Sequence, residues 1–446
     1  MTAGIIIFLI TYIFIASEKV DKAVAAVLGA GAMVIFQVAK FPEMLTKVDL
    51  NVLALLIGMM IIVNIMATTG ILEYLTVKIA RLTGGNGHLI TLGFLLATAF
   101  ISAFMDNVTT VILMAPVTIL LTQMLNLPTV PILILEAIFS NIGGTATLIG
   151  DPPNILIGAS CNLSFNQFLV NLMPCIVIMT LLIVGIIILI MRKPLRTGPE
   201  AVKAVAMTDA SKAILDMRCL RRSLWVFGLV LAGFFTGTLT GLEPGLVAIC
   251  GAFLMTLVCK VSVSQMLEKV EWSTIIFFCG LFLMIGALEL NGVFTELGKA
   301  MVSLTQGNFI CTMLIILWGS AILSALIDNI PLVIAMIPLI QSIIPTLAKA
   351  VCDVDVPPDY YAISNYVLPQ IVDEQIRQPL FWALALGACL GGNGTLVGAS
   401  ANVVISQIAR KNHYRLTFMD FTRYGAPIML LSTVISTIYL YLRYMR

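Results

Sequence analysis

Charge is scarce in this chain. Only 11% of its 446 residues are Asp, Glu, Lys or Arg, where soluble domains carry about a quarter. The net charge is +2, which excludes the basic footprint of a nucleic-acid binder. Histidine is nearly absent. His88 and His413 have no partners at ligand spacing, so neither a metal site nor a cofactor is expected. The nine cysteines (161, 175, 219, 250, 259, 279, 311, 352 and 389) are odd in number and include no CxxC. Most lie in apolar runs, which argues against a disulfide scaffold and for small buried hydrophobes. No nucleophile–base pair or phosphate loop appears, so the chain does not read as an enzyme. What fills the space is apolar: 60% of the residues are hydrophobic and the mean hydropathy is +1.05. The chain is therefore an all-α polytopic membrane protein. Its first apolar stretch, 4–16, lacks a basic leader and a small-residue cleavage site, and reads as a retained span rather than a signal peptide.

A motif is written twice. Ser102-Ala103-Phe104-Met105-Asp106-Asn107 returns as Ser324-Ala325-Leu326-Ile327-Asp328-Asn329, 222 residues later. The same offset pairs Gly29 with Gly251, Asp49 with Glu271, Gly58 with Gly280, Gly70 with Gly292, Asn86 with Asn308, and Pro116 with Pro338. Downstream the offset grows to 248, pairing Gly143-Gly144 with Gly391-Gly392, Gly150 with Gly398 and Asn154 with Asn402. The second half has gained 26 residues (248 − 222), mostly in the polar stretch 351–378, which reads as an extramembrane loop.

A bilayer crossing needs about 20 apolar residues. On that ruler the first half has spans near 3–16, 22–39, 50–68, 131–158 and 170–191. Segment 89–125, broken at Asp106-Asn107, reads as a re-entrant hairpin with arms too short to cross. The second half has spans near 223–241, 245–259, 272–289, 379–405 and 425–442, with a hairpin over 309–349. Five spans per half is odd, so the halves are expected to be inverted repeats: 1–191 and 223–446, joined by a linker over 192–222. That linker carries Arg192, Lys193, Arg196, Lys203, Lys212, Arg218, Arg221 and Arg222, and the positive-inside rule makes it cytoplasmic. The N-terminus is then outside. The first hairpin enters from the cytoplasm, the second from outside, as alternating access requires.

The second repeated motif runs Ser140-Asn141-Ile142-Gly143-Gly144-Thr145-Ala146-Thr147-Leu148-Ile149-Gly150-Asp151-Pro152-Pro153-Asn154. Gly and Pro break helices, and irregular backbone at membrane depth survives only where it lines a cavity or is buried in protein. A discontinuous helix facing the hairpin tip is predicted, and another at Gly391–Asn402. A carboxylate at such depth is costly and by default functional. A channel is disfavoured, because Asp151 faces Ala399 and Thr145 faces Asn393 across the repeat.

The Asp-Asn-Val-Thr-Thr tip with this long break motif resembles the arsenite/antimonite efflux and sodium/proton antiporter family, within the ion-transporter superfamily that also holds the melanosomal P protein and the dicarboxylate symporters. The resemblance implies a mobile hairpin-plus-broken-helix unit moving elevator-fashion. It implies a cell-membrane antiporter exporting arsenite or antimonite against protons, with sodium or lithium as the alternative cargo. It allows a homodimer and a separate ATPase subunit as protein partners. The dicarboxylate members carry Ser-Asn-Thr at the tips, and Asp-Asn here fits a proton-coupled antiporter instead.

On this reading Asp106 and Asp328 carry the proton or cation. Asn107 and Asn329 supply amides. Thr109, Thr110, Thr145, Thr147, Asn393 and Thr395 are neutral ligands, and Asn141, Asp151, Asn154 and Asn402 complete the set. Three residues have competing readings. Asp151, beside two prolines, serves equally well as a helix cap. Glu136 is either a second proton site or, the favoured choice, a residue near the membrane surface. Cys389 is most simply a small hydrophobe.

Overall fold

The computed structural model describes residues 1–17, 19–84, 86–191, 195, 214–363 and 366–444. Most of the linker read at 192–222 lies outside these residues. The described residues form helices, turns and irregular segments without strands. The first half holds nine helices of nine or more residues: α1 Thr2–Ser17, α2 Lys22–Ile35, α3 Leu50–Ala67, α4 Ile71–Leu82, α5 Gly87–Ser102, α6 Asn107–Met124, α7 Thr129–Gly144, α8 Pro152–Ser160 and α9 Met173–Ile190. The second half holds nine more: α10 Met217–Thr240, α11 Pro244–Cys259, α12 Trp272–Leu290, α13 Val293–Thr305, α14 Phe309–Leu326, α15 Asn329–Cys352, α16 Gln378–Gly391, α17 Ser400–Lys411 and α18 Phe418–Tyr444. The two sequence offsets match each helix to the one numbered nine higher.

Eight of them (α3, α6, α9, α10, α12, α14, α15, α18) are long and apolar enough to cross a membrane. Their outer faces suit lipid: Leu181, Leu182, Leu189 and Ile190 of α9 are all exposed. One expectation changes. The hairpin arms were predicted too short to cross, yet α6 and α14 have 18 residues and α15 has 24. The tip residues do not shorten these helices. They cap them, so α6 and α15 start immediately after Asp106 and Asp328.

Packing sorts the helices into two bundles. In one, α2 lies on α12, α3 on α11, and α10 on α11. In the other, α5 and α6 pack on α7, α14 on α16, α17 on α6, and α15 on α8. Helices α4 and α13 link the bundles, and each starts after a glycine at positive φ, Gly70 at 79° and Gly292 at 71°. That conformation is easy for glycine alone.

The contacts between halves are reciprocal. A Cβ on Gly58 would lie 2.5 Å from the Ala248 carbonyl carbon, and one on Gly280 would lie 2.8 Å from that of Ala26. Ala248 is the 222-offset partner of Ala26, so each half presents the same glycine to the same alanine of the other. The backbones touch there because no side chain intervenes, as in small-residue helix seams within membranes.

Connections also fall into two groups. At one end Leu215 N–H donates to Thr69 O, Gln123 Nε2 to Tyr414 Oη, and Arg222 to Val258 O. At the other, Arg377 donates to Cys161 O, Asn166 to Phe235 O and Asn291 to Val38 O, while Lys47 pairs with Glu289. The first group holds the connections expected from the charge pattern to be cytoplasmic.

Candidate functional site

The site is built around two helix starts and two helix breaks. Asp106 is the N-cap of α6. One of its carboxylate oxygens accepts from the Thr109 N–H and hydroxyl, each at 2.9 Å. Asp328 is the N-cap of α15 and accepts from the Ile330 N–H at 3.3 Å. Caps of this kind satisfy the orphan amides that begin every helix.

The breaks follow one design in both halves. After α7 and after α16 the chain runs irregular and buried, then restarts as α8 and α17. A Cβ on Gly143 would collide with the Ala99 backbone of α5, and one on Gly391 with the Ala321 backbone of α14. Ser102 Oγ donates to Ser140 O at 2.7 Å, and Ser324 Oγ to Ala388 O at 2.5 Å. The hydroxyl of Thr147 caps Ala103 O, and that of Thr395 caps Ala325 O at 2.5 Å. The Asn154 amide donates to Thr147 O at 2.9 Å and Thr145 O at 3.1 Å. The Asn402 amide donates to Thr395 O at 2.9 Å and Gly392 O at 2.8 Å. The broken backbone thus finds internal partners for the carbonyls that a continuous helix would have paired.

An amide network joins the two breaks. Asn107 Nδ2 donates to Asn141 Oδ1 at 3.0 Å and to Asp151 Oδ1 at 3.2 Å. Asn141 Nδ2 reaches across the halves to Asn393 Oδ1 at 2.9 Å and Asn402 Oδ1 at 3.1 Å. Cys389, at the offset equivalent of Asn141, makes the mirrored contact to Asn154 Oδ1 at 3.6 Å. Asp151 stands at the N-cap position of α8 without any side-chain cap bond, and its Oδ2 has no partner. It faces Asn107 instead.

Between the two bundles lies a cavity of about 460 Å³. Six of the fourteen sequence-predicted site residues line it: Asp106, Asn107, Thr109, Asp151, Asp328 and Asn329. The other eight stand behind its wall. Thr145, Thr147, Asn154, Thr395 and Asn402 are engaged with backbone carbonyls, as is Thr110 Oγ1 with Asp106 O at 2.9 Å. Asn141 and Asn393 bridge the breaks.

The sequence reading missed Lys22. Its ammonium sits 2.6 Å from Asp328 Oδ2 in an ion pair between residues 306 apart, and Ser400 Oγ donates to the same oxygen at 3.2 Å. Among the described residues Lys22 is the only basic one in the cavity lining, against Asp21, Asp106, Asp151, Glu271 and Asp328. The repeat could have signalled it, because the 222-offset partner of Lys22 is Pro244. Among the described residues Asp328 has an ion pair and Asp106 has none, so the two tips differ in charge. Glu271 was also missed as a lining residue, although it pairs with Asp49. It begins α12 without capping it, and accepts from Thr274 Oγ1 at 3.2 Å. Glu136 is fully buried in α7 and accepts from Thr118 Oγ1 at 3.0 Å.

The described residues form an all-helical protein with membrane-length helices and a cavity between two bundles, with carboxylates and amides in its wall. The crystal structure of the YdaH transporter of Alcanivorax borkumensis shares that fold at a TM-score of 0.59, with 13% identity, over 92% of this chain and 88% of that one. The chain belongs to the CitMHS citrate transporter family, whose model matches residues 12–365. It is 38% identical over 450 residues to an uncharacterized transporter of Mycobacterium tuberculosis, covering 99% of this chain and 98% of the relative. It is 33% identical over 512 residues to the P protein of Mus musculus, covering 96% of this chain but 58% of that protein. The motif resemblance is therefore met at the level of the superfamily and the P protein, while the family shown is the citrate transporter family.

Proposed function

We propose that this protein is a secondary active antiporter of the cell membrane that exchanges a small monovalent cation, sodium or lithium, for protons. Its halves, 1–191 and 223–446, are inverted repeats about an axis in the membrane plane. The hairpin-and-break bundle moves elevator-fashion against the α2–α3–α11–α12 bundle, and the cavity between them opens to the cytoplasm. One observation carries the cargo assignment. The half-site of Asp106, Asp151 and Asn107 holds two carboxylates with no lysine, while its counterpart at Asp328 is already neutralised by Lys22. Carboxylate and amide oxygens are the hard ligands that suit an alkali cation, and Asp106 and Asp151 exchange it for protons. Asp328 keeps Lys22 as the resident cation of the second tip.

Arsenite is the second reading, favoured by the neutral amides Asn107 and Asn329 on the wall. It is weaker because a neutral trihydroxide needs many hydroxyl and amide ligands, and most of those expected are turned to the backbone. Citrate, which the family description names, brings up to three negative charges into a cavity with five acids and one lysine, and would need accompanying cations. The test is transport in proteoliposomes with an imposed pH gradient. A pH dye should respond to sodium or lithium, and Asp106→Asn should abolish the response. Gradient-driven uptake of arsenite, antimonite or citrate with no response to either cation would overturn the cation assignment.

A further inference from the structure

The strongest unexplained group outside the cavity is Glu136. It lies two turns into α7 with no exposed surface, where the second half has Leu384. Thr118 Oγ1 of α6 donates to its Oε1 at 3.0 Å, and Oε2 has no partner. Thr98 of α5 lies beside it, and the hydroxyls of Thr98 and Thr91 are buried without hydrogen-bond partners. The helices packed against α7 bring charges only near their ends: His88 on α5, Arg410 and Lys411 on α17, Asp420, Arg423 and Arg443 on α18. None of these, among the described residues, bonds to Glu136, and the thiol of Cys389 on α16 is turned to Asn154. An ionised carboxylate in such a place has no counter-charge, and a buried oxygen left unpaired costs about 1–3 kcal/mol. A protonated carboxyl resolves both problems, since its O–H can donate to Thr98 while the other oxygen still accepts from Thr118.

A line of buried hydroxyls also runs from Glu136 towards the start of α7. Thr118 and Thr122 are one turn apart on α6 and so share a face. Thr122 shares a 2.9 Å hydrogen bond with Thr129, the first residue of α7. That end carries the Gln123–Tyr414 contact. Towards the cavity, Ser140 is one turn beyond Glu136, followed by Asn141, Asn107 and Asp151.

We infer that Glu136 is a second proton-binding site, separate from the cation half-site, that loads and unloads through the Thr118–Thr122–Thr129 hydroxyls. The inference deepens the proton-coupled reading and rests on it. Glu136→Gln keeps the size and both hydrogen bonds but cannot exchange a proton. Infrared difference spectra across a pH titration give a readout independent of cargo. The wild type should show a protonated-carboxyl carbonyl band that titrates, and Glu136→Gln should lack it. In proteoliposomes, Glu136→Gln should lose pH-gradient-coupled sodium flux at least tenfold while keeping sodium–sodium exchange at equal pH. Thr122→Val, which folds around an isosteric side chain, should slow coupled flux and spare the exchange. An unchanged carbonyl band in Glu136→Gln overturns the inference even if the cargo is not sodium. Full coupled flux in that variant overturns it as well. Absence of sodium flux in the wild type, with the Glu136 band present and titrating, would instead sink the cargo assignment and leave the proton site standing.

Discussion

Replacing Lys22 by Met tests the asymmetry of the two tips. The ammonium is 31% exposed and Asp328 only 7%, at a separation of 2.6 Å. Removing one partner of a fully buried pair costs about 3–5 kcal/mol, and exposed pairs are worth at most about 1 kcal/mol. Half-burial of the lysine places this pair near 2 kcal/mol, a factor of about 30 in an equilibrium constant. Because α2 belongs to one bundle and the tip of α15 to the other, the loss should appear as weakened docking between bundles. In a chain of this size it corresponds to a fall in Tm of roughly 2 °C. The assay is thermal unfolding of the purified protein in detergent for Lys22→Met, Asp328→Asn and the double variant. The double variant should recover about 2 kcal/mol relative to the sum of the singles, since the uncompensated carboxylate is gone. Lys22→Met should also let a cation reach Asp328 and raise the number of sodium ions bound per chain. A coupling below about 0.5 kcal/mol, with no change in ion binding, would refute the claim that Lys22 occupies the second tip.

Three further outcomes follow from the same geometry. Asp106→Asn should keep the α6 cap, because Asn caps as well as Asp, so thermal stability should hold while pH-gradient-coupled flux is lost; retained flux would remove Asp106 from the coupling site. Gly58→Val and Gly280→Val should destabilise alike, by about 1–3 kcal/mol or more, since each forces a side chain into facing backbone; thermal unfolding showing one tolerated and the other not would contradict the reciprocal seam. Asn154→Ala and Asn402→Ala should each cost about 2–4 kcal/mol by stranding buried carbonyls; hydrogen exchange should rise over 144–151 in the first and 392–399 in the second, and unchanged protection would mean that water replaces the amide.

Much of this architecture could be read from the repeat. Both tips and both breaks stand where the doubled motifs lie, because Asp-Asn starts a helix and Gly-Gly with Pro interrupts one, and these are local effects. Helix lengths were legible less well: the second hairpin read as 309–349 with short arms, but α15 runs on through Pro338 and Pro345 to Cys352. The use of the neutral polar residues was not legible. Thr147 and Asn154 look like ligands in the sequence, and only the fold reveals which carbonyls they must satisfy. Lys22 was hidden for another reason. Its partner is 306 residues away, and the clue lay in a place where the repeat fails, Pro244, rather than where it holds.

The Lys22–Asp328 pair also bears on ancestry. A first half assembled with a copy of itself would set a Lys22 against each Asp106, and both tips would be shut. A second half assembled with a copy of itself would set Pro244 against each Asp328, and both would be open. Only the fused chain has one of each. If the halves arose by duplication, the lysine and the proline mark a position where each has become specific to its place in the chain.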